Sequence, residues 1–368
     1  MRRALLASAL GLLLAACAVG PRWDGPETAH FDGERFVPQE RFDKSIADLW
    51  RYWREKPPSQ WRRDLSLPPG PPPPRRVPAG ALRVTYVNHA TLLVQADGLN
   101  LLTDPIWSEH AGPGGWLGPR RFRPPGLDFA SLPPIDVVLV SHNHYDHLDW
   151  PTLARLQAAH RPVFVVPPGD GGWLRERGLQ RVVERDWGQH WELPNGCRLY
   201  ALEARHWSQR QFLPSDRNRS LWLAFGWETT QGWVYFAGDT GYGPHFAATA
   251  ARLGPPRLAL LPIGAYEPRW LTGYQHLDPA QAVRAHVELG ALASLGMHWG
   301  SFELSAEGPY EPLADLGAAL HAAGPDLAPF AVPAHGQGID YAAPPPKARP
   351  QPAGRCRPQA GSPRGPRS

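Results

Sequence analysis

The sequence predicts an α/β protein in which strands and helices form a layered sandwich. Short runs of β-branched, aromatic and leucine residues are bounded by turn residues, which is typical of buried strands. These runs occupy residues 82–87, 91–95, 99–103, 137–140, 163–166, 199–202, 221–225, 233–237, 258–262 and 292–295. The first three form a meander, whereas helical segments separate several of the later ones. This order favours a layered sandwich over a doubly wound parallel sheet.

Two helices are predicted between these strands, over residues 150–159 and 279–289. The second has a clear start signal, because Asp278 is a typical N-cap residue and Pro279 suits the first helical position. We place the main folded domain at residues 81–342. The total length of 368 residues is enough for one large catalytic domain or two ordinary ones.

The composition excludes several classes of protein. Apolar residues make up 42% of the chain and charged residues 20%, which is typical of a soluble globular protein and not of a disordered or polytopic membrane chain. The net charge is +4, but residues 1–17 carry two basic residues, residues 343–368 carry six, and neither segment has an acid. Residues 18–342 therefore hold 30 basic and 34 acidic residues. This mildly acidic region gives no reason to expect nucleic-acid binding.

The first 17 residues are typical of a bacterial lipoprotein signal peptide. Two arginines precede an apolar run, residues 4–16, which is too short to span a bilayer but suits a secretory signal. Residues 14–17 read Leu-Ala-Ala-Cys and resemble a lipobox, in which Cys17 becomes the first, lipidated residue. Because Ala18 is not the aspartate that retains lipoproteins in the inner membrane, we expect anchoring in the outer membrane of a bacterial cell envelope, facing the periplasm. An ordinary signal peptide or a short uncleaved anchor is the alternative.

Residues 18–80 are predicted to be an N-terminal extension that ends in a stiff proline-rich linker, residues 68–78. The extension contains one short helix, which ends before Pro57 and Pro58. Its apolar residues are spaced i, i+3, i+4 and i+7: Ile46, Leu49, Trp50 and Trp53. We expect this apolar face to pack against the main domain, with contact to lipid as the alternative.

Residues 343–368 are predicted to be a disordered tail, because they are rich in proline and arginine and have no apolar periodicity. Cys356 lies in this tail, and Cys197 is the other cysteine of the mature chain. This placement argues against a disulfide framework, although the envelope compartment would permit one.

One segment concentrates the residue types that bind metals. Residues 141–149 read Ser-His-Asn-His-Tyr-Asp-His-Leu-Asp and directly follow a predicted strand. Imidazole and carboxylate groups are preferred ligands of borderline divalent metals, and four within six residues exceed the need of one tetrahedral ion with an open position. We therefore predict two neighbouring ions, one bound by His142 and His144 and the other by Asp146 and His147.

Both ions need further ligands, and candidates follow other predicted strands. His206, Asp239 and His298 each come shortly after such a strand. A carboxylate such as Asp239 can bridge two ions, which an imidazole cannot. His190 is the nearby rival of His206.

The order His-x-His-x-Asp-His, then His, then Gly-Asp-Thr, then His resembles the metallo-β-lactamase superfamily of dinuclear zinc hydrolases. The chain is similar in particular to the N-acylphosphatidylethanolamine-hydrolysing phospholipase D family. That similarity runs through residues 101–106, 118–123, 132–136, 141–149, 237–242, 262–270, 274–279 and 297–302. It implies a metallo-β-lactamase-like four-layer αββα sandwich. The family's usual Gly-His-Ala-Thr is replaced here by Asn-His-Ala-Thr at residues 88–91.

The resemblance also implies a ligand set for two zinc ions. His142, His144 and His206 would bind one ion, and Asp146, His147 and His298 would bind the other. Asp239 would bridge the pair and manage the proton of the attacking hydroxide. Asp146 and Asp239 are therefore the predicted catalytic residues.

Residues of the matched strings outside this set are weaker candidates. Gln275 and His276 are predicted to line the substrate pocket, with ordinary burial as the alternative. His335 is predicted to close the site late in the domain. His89 and Asp104 lie at early strand ends, where we expect them to orient ligands without touching metal.

The loop of residues 107–123 combines aromatic and cationic side chains. Arg120 and Arg121 are candidate phosphate ligands, since a guanidinium group suits phosphate, and a solvated basic loop is the alternative. Trp107, Trp116 and Phe122 are predicted to contact lipid at the membrane interface. The alternative is that these aromatic rings pack over the metal loops.

We therefore predict a dinuclear zinc phosphodiesterase of the phospholipase D type. Its implied substrates are N-acylphosphatidylethanolamine-type phospholipids, cleaved to phosphatidic acid and an N-acylethanolamine, and lipidated Cys17 would hold the enzyme at the membrane. One alternative is a hydrolase of the same fold for another ester, such as a lactone or a cyclic or nucleotide phosphodiester. The other is a non-catalytic surface lipoprotein, against which the complete ligand set argues.

Overall fold

Two seven-stranded sheets packed face to face form the centre of the computed structural model, with helices on the outer faces. The predicted αββα sandwich is confirmed. The structure describes residues 23–38, 40, 44–211, 216–343 and 356. The predicted signal peptide with Cys17 and nearly all of the predicted disordered tail lie outside these residues. In the described part of the chain, no helix combines the length and the apolar character that a membrane span requires.

The first sheet begins as an antiparallel meander and continues as parallel strands, in the order β14-β1-β2-β3-β4-β5-β6. Its strands are β1 (Leu82–Asn88), β2 (Thr91–Ala96), β3 (Leu99–Thr103), β4 (Val137–Leu139), β5 (Val163–Val166), β6 (Val182–Glu184) and β14 (Gly338–Tyr341). Strand β14 pairs antiparallel with β1, so the end of the domain closes the sheet beside its beginning.

The second sheet has the order β13-β12-β11-β10-β9-β8-β7. Its antiparallel part comprises β7 (His190–Glu192), β8 (Arg198–Leu202), β9 (Ala224–Thr229) and β10 (Gly232–Phe236). Its parallel part adds β11 (Leu258–Pro262), β12 (Ser294–Met297) and β13 (Phe330–Ala331).

Helices cover the outer face of each sheet. The described helices are α1 (Ile46–Glu55), α2 (Trp150–His160), α3 (Gly171–Glu176), α4 (His245–Leu253), α5 (Arg269–Thr272), α6 (Pro279–Leu289) and α7 (Glu311–Ala323). Helices α2 and α3 pack on the first sheet, and α6 packs on β11 between α4 and α7. The predicted cap of α6 is confirmed, because the Asp278 carboxylate accepts a hydrogen bond from the Gln281 backbone N–H at 2.7 Å.

The core is divided into an inter-sheet cluster and a cluster under α2 and α3. Strand β2 shows why, because Leu92 and Val94 belong to the inter-sheet cluster while Leu93, between them, faces the helices. Successive side chains of a strand point to opposite faces, so a strand covered on both faces has a continuous apolar sequence.

One strand lies further along the chain than the sequence predicts. Residues 221–223 were expected in the sheet, yet β9 begins at Ala224. The backbone N–H groups of Leu221 and Leu223 donate instead to the carbonyls of Pro168 and Ser141. This segment therefore supports the start of the histidine-rich loop, although its side chains are buried like those of a strand.

The expectation that the apolar face of α1 packs against the domain is wrong. Ile46, Trp50 and Trp53 are 79%, 73% and 73% exposed, and α1 contains no buried residue. The helix contacts the domain through Arg51 instead, whose guanidinium lies 4.2 Å from the centre of the Trp270 ring.

The expectation against disulfides is also wrong. A disulfide joins Cys197, at the buried turn before β8, to Cys356 across 159 positions of sequence. Cys356 contacts the inter-sheet core, so at least this residue of the predicted tail is attached to the folded domain. Composition gave no signal for it, because the pairing depends on where the tail runs in three dimensions.

Candidate metal centre

The predicted ligands lie on loops at one edge of the sandwich. The segment of residues 141–149 leaves the carboxyl end of β4, and Asp239 and His298 follow the carboxyl ends of β10 and β12. His298 has a left-handed backbone, with φ at 64°, and its N–H donates to the His89 carbonyl at 2.8 Å. Such strained positions are often found at functional sites.

Three histidines form one group of candidate ligands. Nδ1 of His144 lies 2.8 Å from Nε2 of His142 and 3.1 Å from Nε2 of His206. Their ring nitrogens all lie within 4.8 Å of one another. His190 is excluded as a substitute for His206, because it is an exposed residue of strand β7.

The second group contains Asp146, His147 and His298. Nε2 of His147 lies 3.2 Å from Nε2 of His298 and 3.2 Å from Oδ2 of Asp146. Asp239 lies between the groups. Its Oδ1 is 3.1 Å from Nε2 of His298, and its Oδ2 is 3.2 Å from Nε2 of His147 and 3.9 Å from Nε2 of His206.

This donor set fits a pair of metal ions. Two ligand atoms of a tetrahedral zinc ion, each about 2.0–2.2 Å from it, stand roughly 3.3–3.5 Å apart. Most distances within the two groups are close to that separation. Oδ1 of Asp239, which lies between the groups, is buried without a hydrogen-bond partner, so it is available to a metal ion. The position of Asp239 near both groups suits a bridging carboxylate.

Other buried side chains orient these ligands. Nδ1 of His147 lies 2.6 Å from Asp104, and that carboxylate also accepts from the backbone and hydroxyl of Ser141. Nε2 of His89 lies 2.8 Å from Oδ2 of Asp146. His89 and Asp104 therefore have the orienting positions that the sequence suggested.

The environment gives the first group of histidines and Asp239 protonation states that suit metal binding. Burial lowers the pKa of His142 and His144 well below the ordinary value, and it lowers that of His206 to about 4. These imidazoles are therefore neutral at pH 7, as metal binding requires. Burial alone would raise the pKa of Asp239, but His147 and His298 hold it well below the ordinary value, so this carboxylate is ionised.

Arg210 supports the histidine-rich loop from behind. Its Nη1 donates to the carbonyls of Asn143 and Leu148 at 2.7 and 2.9 Å, near both ends of the loop. Its guanidinium also stacks 4.0 Å from the centre of the Tyr145 ring. The sequence analysis missed Arg210, because the region around it resembles the family only weakly.

A cavity of about 420 Å³ opens beside the ligands. The candidate ligands His144, Asp146 and Asp239 line it, and its apolar lining includes Leu49, Trp53, Leu271 and Leu304. Two of these apolar residues come from α1. The sequence analysis assigned no site role to the extension, since an isolated short helix carries no signal of what it borders.

Of the predicted substrate contacts, the structure brings Gln275 and His276 to this cavity. Nδ1 of His276 lies 3.8 Å from Oδ2 of Asp239. The backbone carbonyl of Gln275 lies 2.9 Å from Nδ1 of His206, so it also orients that ligand.

The other predicted substrate contacts are not at the cavity. Arg120 is on the surface, where Nε donates to Glu109 at 2.9 Å. Arg121 is buried and donates to the carbonyls of Ile106 and Ser108, so it stabilises its own loop. His335 is buried against Tyr86 and Trp299, behind the His298 loop. Arg121 is buried because its loop folds back on the domain, whereas His335 belongs to a separate segment near the end of the domain.

The contacts of this loop with the domain also decide where the aromatic rings lie that were predicted to contact lipid. Phe122 is buried between Trp61 and Tyr310, and Trp107 packs on Phe129. Trp116 alone of the three predicted rings is exposed, at 58%.

The fold and the cluster agree with comparisons to known proteins. Residues 99–299 match the model of the beta-lactamase superfamily domain. The chain is 40% identical over 271 residues to an uncharacterized protein of Mycobacterium tuberculosis, covering 72% of this chain and 70% of that one. It is 37% identical over 233 residues to N-acyl-phosphatidylethanolamine-hydrolyzing phospholipase D 1 of Caenorhabditis elegans, covering 61% of this chain and 65% of that one.

Solved structures show the same fold at low identity. A metallo hydrolase of Ignicoccus hospitalis superposes with a TM-score of 0.54 at 21% identity, over 71% of this chain and 98% of that one. The diiron β-hydroxylase CmlA of Streptomyces venezuelae gives 0.52 at 21% identity, over 72% and 54%. By sequence match, fold and a His/Asp cluster able to bind metal, the chain belongs to the metallo-β-lactamase superfamily of metal-dependent hydrolases.

Proposed function

We propose that the protein is a dinuclear zinc phosphodiesterase of the phospholipase D type that hydrolyses N-acylphosphatidylethanolamine-type phospholipids. The cavity carries this proposal, because it borders candidate metal ligands and its lining is largely apolar. A phospholipid has the same division, with a phosphodiester at one end and acyl chains at the other. The similarity to the nematode phospholipase D supports the same substrate class.

Zinc, when bound, would supply a water of near-neutral pKa and neutralise charge on a phosphoryl oxygen. We propose that His142, His144 and His206 hold one ion, that Asp146, His147 and His298 hold the other, and that Asp239 bridges them. The choice of zinc over iron rests on the family resemblance, since histidine and carboxylate ligands do not specify the metal.

The chain's own residues would then manage protons and position the substrate. Asp239 is ionised and faces the cavity, so its carboxylate can accept the proton of the attacking water. His89 holds Asp146 in place through the 2.8 Å contact to Oδ2. His276 is kept neutral by burial and lines the cavity, where its imidazole can hydrogen-bond a substrate oxygen. Hydrolysis would release phosphatidic acid and an N-acylethanolamine.

We further propose that the protein docks on a lipid bilayer through the exposed apolar face of α1. Helix α1 borders the cavity through Leu49 and Trp53, while Ile46 and Trp50 point to solvent. Trp116 is exposed on the loop that borders the same cavity through Ala111 and Pro119. A bilayer fits this arrangement, because tryptophan favours the membrane interface and the cavity mouth must stay accessible to lipid.

Anchoring through lipidated Cys17 in a bacterial cell envelope, at the outer membrane facing the periplasm, is part of the same proposal. The Cys197–Cys356 disulfide supports it, because disulfides persist in oxidising compartments such as the periplasm.

The test is hydrolysis by purified, zinc-loaded protein of an N-acylphosphatidylethanolamine in mixed micelles, beside a soluble diester and a lactone. We expect phosphatidic acid and the N-acylethanolamine in equal amounts, and no activity after chelation until zinc is restored. Cleavage of the soluble diester or the lactone without cleavage of any phospholipid would overturn the proposed substrate class. Full activity after exhaustive chelation would overturn the metal mechanism.

A further inference from the structure

Two cations lie beside the indole ring of Trp207 at the edge of the cavity. Nζ of Lys44 is 5.6 Å from the centre of that ring, and the guanidinium carbon of Arg217 is 5.2 Å from it. Trp207 also contacts the metal cluster, since its ring centre lies 4.3 Å from that of His144. Lys44, Trp207 and His144 all line the cavity.

The two cations also disfavour each other. Burial and the neighbouring Arg217 charge lower the pKa of Lys44 to about 8, which is the result expected for an ammonium group held near a like charge. An anionic substrate group at the cavity wall would favour the charged form of Lys44.

Lys44 belongs to the N-terminal extension, outside the segment of residues 99–299 that matches the superfamily model. The extension is held against the domain near this point. Glu40 forms a 2.7 Å ion pair with Arg205, and its backbone N–H donates to the hydroxyl of Tyr274 at 3.3 Å. Lys44 is therefore placed at the cavity by contacts on its own segment.

We propose that Lys44, which lines the cavity beside Trp207 and His144, forms an anion-binding subsite that receives a phosphate oxygen of the substrate. The ligand class is an organic phosphodiester monoanion with apolar substituents, because Leu49 and Trp53 provide an apolar wall of the same cavity. The inference rests on the proposed function and adds to it a substrate contact made by the extension.

The test measures binding instead of turnover, so that it does not depend on lipid hydrolysis. Dibutyl phosphate is titrated into the zinc-loaded full chain and followed by ³¹P NMR, with neutral tributyl phosphate as the uncharged comparison. The variants are Lys44→Met, which removes the charge, and Lys44→Arg, which keeps it. The matched control is Arg54→Met, which removes a cation on α1 that is 74% exposed.

We expect Lys44→Met to raise the Kd of dibutyl phosphate about tenfold, the loss typical of one charge-assisted hydrogen bond. Lys44→Arg and Arg54→Met should stay within about threefold of the original protein on the same scale. The Kd of tributyl phosphate should not change in any variant. Circular dichroism and thermal melting establish that the variants are folded.

An unchanged Kd in folded Lys44→Met, or an equal loss in Arg54→Met, would overturn the subsite. Failure of the proposed function is distinguishable from this result. If Lys44→Met loses affinity for dibutyl phosphate while the original protein cleaves no phospholipid, the subsite is supported and the proposed lipid substrate is wrong. If phospholipid is cleaved and Lys44→Met binds normally, the subsite alone is wrong.

Discussion

Helix α1 and the loop of residues 107–123 both carry aromatic side chains near the cavity. The domain buries Phe122 of the loop but leaves Trp50 and Trp53 of the helix largely exposed. Trp50 and Trp53 of α1 are each 73% exposed, whereas Phe122 of the loop is 5% exposed. The sequence analysis expected the opposite, with α1 packed and the loop at the membrane. An apolar stripe therefore identifies a face of an element, but it does not tell what covers that face.

The difference has a physical origin in the partners that each segment meets. The loop folds back so that Phe122 contacts Trp61 and Tyr310, and Trp107 donates from Nε1 to the Leu127 carbonyl at 2.9 Å. Helix α1 is instead attached by its polar side, through the contact of Arg51 with Trp270. On its apolar side, Ile46 and Trp50 then face solvent, while Leu49 and Trp53 border the cavity.

We expect the largest effect from a substitution in the candidate metal centre, since it should affect all substrates alike. Asp239→Ala should lower hydrolysis of phospholipid and of a soluble diester alike, by about a thousandfold or more, because the carboxylate that we propose to bridge the ions is lost. Metal analysis of the purified variant should show fewer ions per chain. The exposed carboxylate variant Asp340→Ala is the control, and equal activity of both variants would contradict the assignment of Asp239.

Phe122→Ala should test the structural role of the loop. Removing this buried ring should lower the free energy of unfolding by about 3–5 kcal/mol, as expected for a large core side chain. Urea denaturation measures it, with Trp116→Ala as the exposed control, which should change by about 0.5 kcal/mol or less. If Phe122→Ala has normal stability but no longer binds vesicles, the prediction that the loop contacts the membrane is right after all.

The double variant Ile46→Ser with Trp50→Ser should test the membrane face of α1. Both residues lie outside the cavity lining, so soluble diester hydrolysis should be unchanged. Binding to phosphatidylethanolamine-containing vesicles should fall at least about tenfold, because two exposed apolar side chains no longer enter the interface. Vesicle co-sedimentation of a form that begins after Cys17 measures this, and unchanged sedimentation would refute the proposed docking surface.

A smaller effect is expected from a change of pH, which alters the charge of Lys44 just before the N-cap residue of α1. Because the pKa of Lys44 is lowered to about 8, the ammonium group loses its proton between pH 7 and 9. The affinity for dibutyl phosphate should therefore fall a few-fold, roughly, over that interval. In Lys44→Arg the fall should disappear, since a guanidinium stays protonated. ³¹P NMR titrations at both pH values measure the change, and an identical fall in Lys44→Arg would assign it to another group.

Much of the fold followed from local patterns. Strands such as β2, β3 and β5 were predicted nearly to the residue, because strands buried on both faces have continuous apolar sequences between turn residues. The short edge strands β7 and β13 were not predicted, since two or three half-exposed residues carry no periodicity. Their pairing depends on neighbours supplied by the rest of the sheet.

For the candidate site, the sequence by itself determined which chemistry is present. Three histidines and an aspartate on one turn, with Asp239 after a later strand, have no packing role that would place them there, so their chemistry could be predicted without coordinates. Only the tertiary structure decided what surrounds them. Lys44 and Trp53 reach the cavity and Cys356 meets Cys197, because each of these contacts joins segments far apart in the sequence. Such contacts depend on how the chain folds back on itself, and no local pattern of residue types records that path.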